Sequence, residues 1–264
     1  MITRCTGADQ ERIEQYIGND YACCLYLYMD LLKYGPVSEF TKTWIQQDIH
    51  GSITCVMLSY HTAMHIFARG AFNIQEVVDV VCSNKPSQIC AYKPVIEALK
   101  LPLSSFGYEV ELGYVGRLEY HGHDEQDNIS RATIDDVDEI AQLIYDDAGI
   151  GNAYSLDDLK AQMRERLSQG FVRSYVIKED NHVAAHLGTG AEVGHVSIVS
   201  YVITDERYRG RGFASKLYQA ACRELQQEGK EVYAVYYVEN SIRLHHKVGF
   251  VDCCEYGKLF LKTH

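Results

Sequence analysis

The chain lacks most of the features that would assign it quickly. No apolar run approaches the roughly 18 to 20 residues that span a bilayer, and the opening MITRCTGADQERIEQ is too polar for the apolar segment of a secretory leader. No C-x-x-C occurs, and the nine cysteines are odd in number, with Cys23/Cys24 and Cys253/Cys254 adjacent. That usage argues against a disulfide framework and a structural zinc, and predicts reduced, mostly buried thiols in a cytoplasmic protein. Basic residues are outnumbered, 25 Lys and Arg against 36 Asp and Glu, for a formal net charge of −11. A nucleic-acid surface needs a basic face to displace counterions, so that class is excluded. Nucleotide loops are missing too. Neither RYRGRGFAS nor GTGAEVGH (Gly188 to His195) fits G-x-x-x-x-G-K-[ST], and the pair Gly210 and Gly212 comes late and lacks the third glycine of a dinucleotide fingerprint.

What is present is a chain of 264 residues, 47% of them hydrophobic, enough for one large domain or two of ordinary size with packed cores. The polar run HGHDEQDN, His121 to Asn128, has no apolar periodicity and reads as a linker dividing residues 1–125 from 126–264. Before it, YACCLYLYMDLLKYG reads as a helix ended by Gly35 and Pro36, and SITCVMLSY and AMHIFAR as strands. A helical pattern around Ile74 to Val81, the short run QICAY, a helix opened by Pro94 and a strand near YEVELGYVG follow. This is a mixed α/β unit with no motif that carries chemistry.

After the linker, ISRAT reads as a strand and IDDVDEIAQLIYDD as a helix with acidic residues at its entrance. Ser155 and Asp158 come close to a capping box for a second helix, LDDLKAQMRERL. Strands are expected at SYVIKED, VAAHLGTG and VSIVSYVIT, with GTGAEVG as a hairpin connection. FASKLYQAACRELQQEG is a helix ended by Gly229, EVYAVYYV a strand, SIRLHHKVG a short helix and FVDCCEYGKLFLK a final hairpin. No internal sequence repeat is visible.

The stretch RYRGRGFASKL gathers Arg207, Arg209, Arg211 and Lys216 around two glycines between the strand ending at Thr204 and the helix beginning at Phe213. Glycines without Cβ let backbone N–H groups close on a ligand, and the first N–H groups of a helix lack internal partners and carry its positive end. The expectation is a small anion docked there.

The hexad Arg209-Gly-Arg-Gly212-Phe-Ala214 resembles the R-x-x-G-x-A pyrophosphate motif of the GNAT (GCN5-related N-acetyltransferase) superfamily. ISRATIDDVDEIAQL resembles the family's first strand and helix, VITDERYRG the end of its fourth strand, and SIRLHHKVGF its closing helix and the following glycine-phenylalanine. The resemblance covers the C-terminal half. It implies an α/β fold with a mixed sheet: a GNAT-like acyl-CoA-binding domain over 126–264, preceded by a smaller mixed α/β domain. One reading of that first domain is a degenerate copy of the same fold, used for interaction or substrate shaping. The implied co-substrate is acetyl-CoA and the implied reaction acetyl transfer to an amine-bearing acceptor, with no nucleic acid, membrane or metal involved. Backbone groups of Arg211, Gly212, Phe213 and Ala214 would hold the pyrophosphate, with Arg209, Gly210 and Ser215 alongside. Ile203 and Thr204 would pair with the pantetheine arm, and Asn240 is a further binding candidate although it abuts the closing helix.

Acetyl transfer needs a neutral amine and a proton for the leaving thiolate. An alkyl amine near pKa 10.4 costs about 4 kcal/mol to neutralise at pH 7. Many relatives carry a glutamate in the fourth strand for that purpose, yet HVSIVSYVIT has no carboxylate. His195, Tyr201, Glu192 and Glu239 are the substitutes to consider. The acid, usually a tyrosine before the glycine-phenylalanine pair, falls on His245; the competing role for that residue is a hydrogen-bonded core histidine. Ser241, Leu244, His245 and Val248 share one helical face, and His246 points away. The pairs His61/His65 and His182/His186 fall on expected strands but have no third ligand beside them. A coenzyme A-binding regulatory module without turnover is the alternative to an active enzyme.

Overall fold

The computed structural model describes residues 1–119, 128–147, 155–168, 170 and 172–261. Two compact units are present. The first comprises Met1–Val115 with Val235–Ile242 and Asp252–His264, and the second Gly116–Ala234 with Arg243–Val251. Two late segments of the chain therefore belong to the first unit, whereas a division at 125/126 follows chain order. The expected linker at 121–128 falls, except for Asn128, outside the described residues.

In the first unit the order is β1 (Ile2–Arg4), α1 (Gln10–Ile17), α2 (Leu25–Tyr34), β2 (Thr41–Gln47), β3 (Ile53–Tyr60), β4 (Ala63–Phe67), α3 (Ile74–Asn84), β5 (Gln88–Tyr92), α4 (Lys93–Ser104) and β6 (Tyr108–Leu118). Strands β1 to β4 pair antiparallel and β4 pairs parallel with β5. Tyr256–Phe260 of the last strand, β12 (Phe250–Leu261), pairs antiparallel with β5. Alternation along β3 separates two cores, as a period of two requires. Cys55 and Met57 pack with Val77, Val81 and Leu99 of α3 and α4. Val56 and Leu58 pack with Ile13, Leu27 and Leu31 of α1 and α2.

The second unit runs β7 (Ile129–Arg131), α5 (Val137–Tyr145), α6 (Leu156–Ser168), β8 (Ser174–Glu179), β9 (His182–Val193), β10 (Val196–Thr204), α7 (Phe213–Gln227) and β11 (Glu231–Tyr236) as far as Ala234, then α8 (Glu239–Lys247) from Arg243 on and the start of β12. Here β7 to β10 pair antiparallel and β10 pairs parallel with β11. One face packs Ile140, Ile144 and Leu159 on Val176, Val183 and Ile203. Leu217, Ala221 and Leu225 form the buried stripe of α7, each worth roughly 1–3 kcal/mol of burial by size.

The repetition that no alignment of letters reveals is in the order of elements. Both halves read strand, two helices, three strands, helix, strand, helix, strand, with the parallel pair at the same step. Each opens with the same local device: Asp9 accepts from the Thr6 N–H at 2.8 Å, and Asp136 accepts from the Thr133 N–H at 2.8 Å, in reciprocal capping boxes.

Two expectations are corrected. GTGAEVG is not the hairpin connection, because β9 continues to Val193 and the turn is Gly194–His195. Its glycines serve close approach instead: a Cβ at Gly190 would lie 2.7 Å from Ser200 Oγ. FVDCCEYGKLFLK is a single strand, not a hairpin. Gly257 lets that strand pass close to its neighbours, since a Cβ there would meet Leu112 at 2.9 Å and the Glu111 carbonyl at 3.1 Å.

Candidate active site

Beyond Thr204 the chain makes a 3-10 turn, Glu206–Tyr208, fastened by Asp205 Oδ1 accepting the Arg207 N–H at 2.9 Å. Gly210 and Gly212 follow at φ +80° and +79°, a region that L side chains adopt at a cost. Gly212 is the N-cap of α7 and no side chain caps that helix. A Cβ built on either glycine meets nothing within 4 Å. An uncapped helix N-terminus therefore faces open space over two glycines, which fits a bound diphosphate.

The cations around this cradle are mostly committed. Arg207 pairs with Asp205 at 2.7 Å, Arg209 with Glu206 at 3.1 Å and Arg211 with Glu179 at 3.4 Å. Arg209 Nε also donates to the Thr204 carbonyl at 3.2 Å, and the Arg211 guanidinium lies 4.9 Å from the Phe213 ring centre. Lys216 has no ion-pair partner among the described residues. Backbone N–H groups, more than free arginine charge, are what the cradle offers an anion. Phe213 is buried, and Ala214 and Ser215 are half-buried at the first turn.

The strand leading into the cradle is irregular. Ser200 pairs with Gly188 and Ile203 with His186, so Tyr201 and Val202 of β10 oppose Leu187 alone. Tyr201 sits at φ +52°, which costs a non-glycine residue about 1–3 kcal/mol. Its carbonyl lies 2.9 Å from Nδ1 of His186, and Nε2 of that ring lies 2.6 Å from Ser174 Oγ. A carbonyl only accepts, so Nδ1 carries the proton and Nε2 accepts from the serine hydroxyl. Burial pushes the His186 pKa down to about 4, so the ring is neutral at pH 7. Beside it, a cleft under α6 is lined by Met163, Leu167, Val172, Gly188 and Tyr201.

His245 is buried, 5% exposed, with Nε2 2.5 Å from the Tyr218 hydroxyl. Tyr218 and Phe250 present rings at centroid distances of 5.2 and 5.3 Å to the imidazole. Val248 is buried too, while His246 is exposed. Asn240 is exposed in the first turn of α8, in a segment belonging to the first unit.

The candidate bases scatter. Glu192 is ion-paired with Arg173 at 3.1 Å and accepts from Thr189 at 2.8 Å. His195 is exposed in the β9–β10 turn and Glu239 is exposed at the start of α8. Tyr201 is the one that lies on the bulge. The histidine pairs do not assemble. His61 occupies the β3–β4 turn at φ +49° while His65 is buried on β4, 3.5 Å from Asp30. His182 is exposed beside Glu139, whereas His186 is buried. The resemblance also implies that Gly149 to Leu156 and the last hairpin shape the acceptor pocket; of that stretch, residues 149–154 lie outside the described residues.

The helix in the corresponding step of the first unit is built differently. Asn73 caps α3, its side chain accepting the Glu76 N–H at 3.2 Å. Arg69 turns to Asp20 at 2.7 Å and to the Ile17 carbonyl at 2.7 Å. The first unit thus fills its helix N-terminus with its own side chain.

The model of the acetyltransferase (GNAT) family matches residues 136–250. The C-terminal half of the chain is a GNAT acetyltransferase domain. Solved structures extend the likeness across both halves. A GNAT-family acetyltransferase from Colwellia psychrerythraea is 9% identical, with a TM-score of 0.62 over 99% of this chain and 100% of its own. A GCN5-related N-acetyltransferase from Sphaerobacter thermophilus is 14% identical, with a TM-score of 0.63 over 98% and 94%. A Drosophila protein, 12% identical, gives 0.69 over 99% and 98%. Identities this low establish a shared fold alone. No curated protein matches the sequence. Among the described residues, no helix is long and apolar enough to cross a membrane.

Proposed function

We propose that the protein is an acyltransferase that moves an acetyl group from acetyl-CoA to a primary amine of a small molecule or protein. The observation that carries this reading is the uncapped N-terminus of α7 facing open space over Gly210 and Gly212, inside a GNAT domain. Bound acetyl-CoA would supply an acyl group already activated as a thioester. The N–H groups of Arg211, Gly212, Phe213 and Ala214 hold the diphosphate, with Arg209, Gly210 and Ser215 beside them. Ile203 and Thr204 offer backbone groups to the pantetheine arm. His245 donates the proton that the leaving sulfur needs. Nine free cysteines suit a reducing, cytoplasmic setting.

A second reading, a coenzyme A-binding regulatory module without turnover, is favoured by one feature. His245 Nε2 is engaged by Tyr218 within a buried ring cluster, and β10 carries no carboxylate. Thiol release from acetyl-CoA, followed over a panel of amines, decides. Amine-dependent release supports the enzyme, whereas coenzyme A binding by calorimetry with no release for any amine supports the module.

A further inference from the structure

We propose that His186 is a positioning residue of the acyl-transfer site, acting through the bulge in β10; this rests on the coenzyme reading above. Three strands meet in one chain of hydrogen bonds: Ser174 of β8 donates to Nε2 of His186 on β9, and Nδ1–H donates to the carbonyl of Tyr201 on β10. Ser174 and His186 are 4% and 1% exposed. Both ring nitrogens are therefore engaged, Nδ1 by a backbone carbonyl and Nε2 by a serine hydroxyl, and neither is left for proton transfer.

The held carbonyl belongs to the residue that needs holding. Tyr201 is the left-handed residue of the bulge, with a conformation that local preference opposes. The extra residue it introduces turns a carbonyl out of the β9–β10 ladder, and a half-buried carbonyl that leaves its ladder gains from a donor elsewhere. His186 is that donor. It sits directly opposite Ile203, the first residue after the bulge to rejoin the register. Ring and bulge are also shaped to each other. Gly188, opposite Ser200, leaves room for the imidazole, since a Cβ there would approach Cε1 to 3.3 Å. Ile203 and Thr204 are the residues whose backbone faces the pantetheine arm in the proposed function, and their direction depends on where the bulge releases them. An apolar residue at 186 would fill the space and leave the Tyr201 carbonyl without its donor. Asparagine would place Nδ2 where Nδ1 now lies and keep the bond.

The test uses the whole chain, with His186→Asn and His186→Leu as near-isosteric variants differing in that donor. Coenzyme A affinity by calorimetry should stay within about threefold of wild type in His186→Asn and weaken about tenfold or more in His186→Leu. Amide exchange at Ile203 and Thr204, measured without coenzyme, should quicken in His186→Leu and not in His186→Asn. In the wild-type protein, nitrogen-15 spectra should show His186 as the Nδ1-protonated tautomer. Wild-type affinity and exchange in His186→Leu, or an Nε2-protonated ring, would overturn the proposal. If His186→Leu does not fold, the tautomer and the His186→Asn exchange rates decide. Failure of the wild type to bind coenzyme A sinks the proposed function, while exchange and tautomer still judge the clamp.

Discussion

Asn73 and Gly212 hold the same place in two matching runs of elements, the N-cap of the helix after the fourth strand, and they treat it oppositely. Asn73 accepts the Glu76 N–H with its own side chain, whereas Gly212, at φ +79°, offers none. One helix end is closed by the chain and the other is left for a ligand. Coenzyme A should therefore bind with a stoichiometry of one per chain. Asn73→Ala should lower stability by about 1 kcal/mol through loss of the cap, with coenzyme affinity unchanged. Two sites per chain in a calorimetric titration would contradict this assignment of roles.

The buried pair Tyr218 and His245 leads to a prediction about rate. His245→Phe keeps an aromatic of similar bulk and removes the proton, so the maximal acetylation rate should fall about 10²-fold if the imidazole is the acid. Tyr218→Phe leaves that proton in place and should cost less. Steady-state rates at saturating acetyl-CoA measure both. An unchanged rate in His245→Phe would make the residue a core histidine and return the proton to water.

Acid sensitivity follows from two other histidines. Burial pushes His65 and His186 each down to about 4, below the unfolded value near 6.5. Between those values the unfolded chain binds more protons, so stability is present above about pH 6.5 and is lost as pH falls toward 4. From pH 7 to 5 each should remove about 2 kcal/mol. Urea unfolding at the two pH values measures the sum, and His186→Asn should reduce the drop. A pH-independent midpoint across this interval would contradict the burial of neutral rings.

Much of this was legible in the letters, for reasons that differ by element. The α7 entrance was readable because Gly210, Gly212 and the stripe Leu217, Ala221, Leu225 state their geometry locally. Elements β1, α1 and β2 left little trace. TKTWIQQ hides its burial behind Gln46, a polar residue 2% exposed that bonds Asn73 and Glu76. In the letters His186 is only one of a histidine pair without a third ligand, because sequence spacing cannot show a bulge; only the register of β9 against β10 brings it to the Tyr201 carbonyl. Gly190 and Gly257 looked like turn residues, since close approach by another strand leaves no mark in neighbouring letters. The repeated element order was invisible because it is kept by hydrophobic pattern and caps, not by identities.

The central claim is that the Arg209–Ser215 cradle holds a diphosphate on the N-terminus of α7. Calorimetry comparing coenzyme A with pantetheine, which lacks the diphosphate, in the wild type and in Gly212→Val tests it most directly. The valine would need the φ of +79° and would occupy the open space above the cradle. The account predicts one coenzyme A per wild-type chain, pantetheine weaker by about 100-fold or more, and no detectable coenzyme A binding in a folded Gly212→Val. Equal affinity for the two ligands, or wild-type coenzyme A binding in the variant, would contradict it.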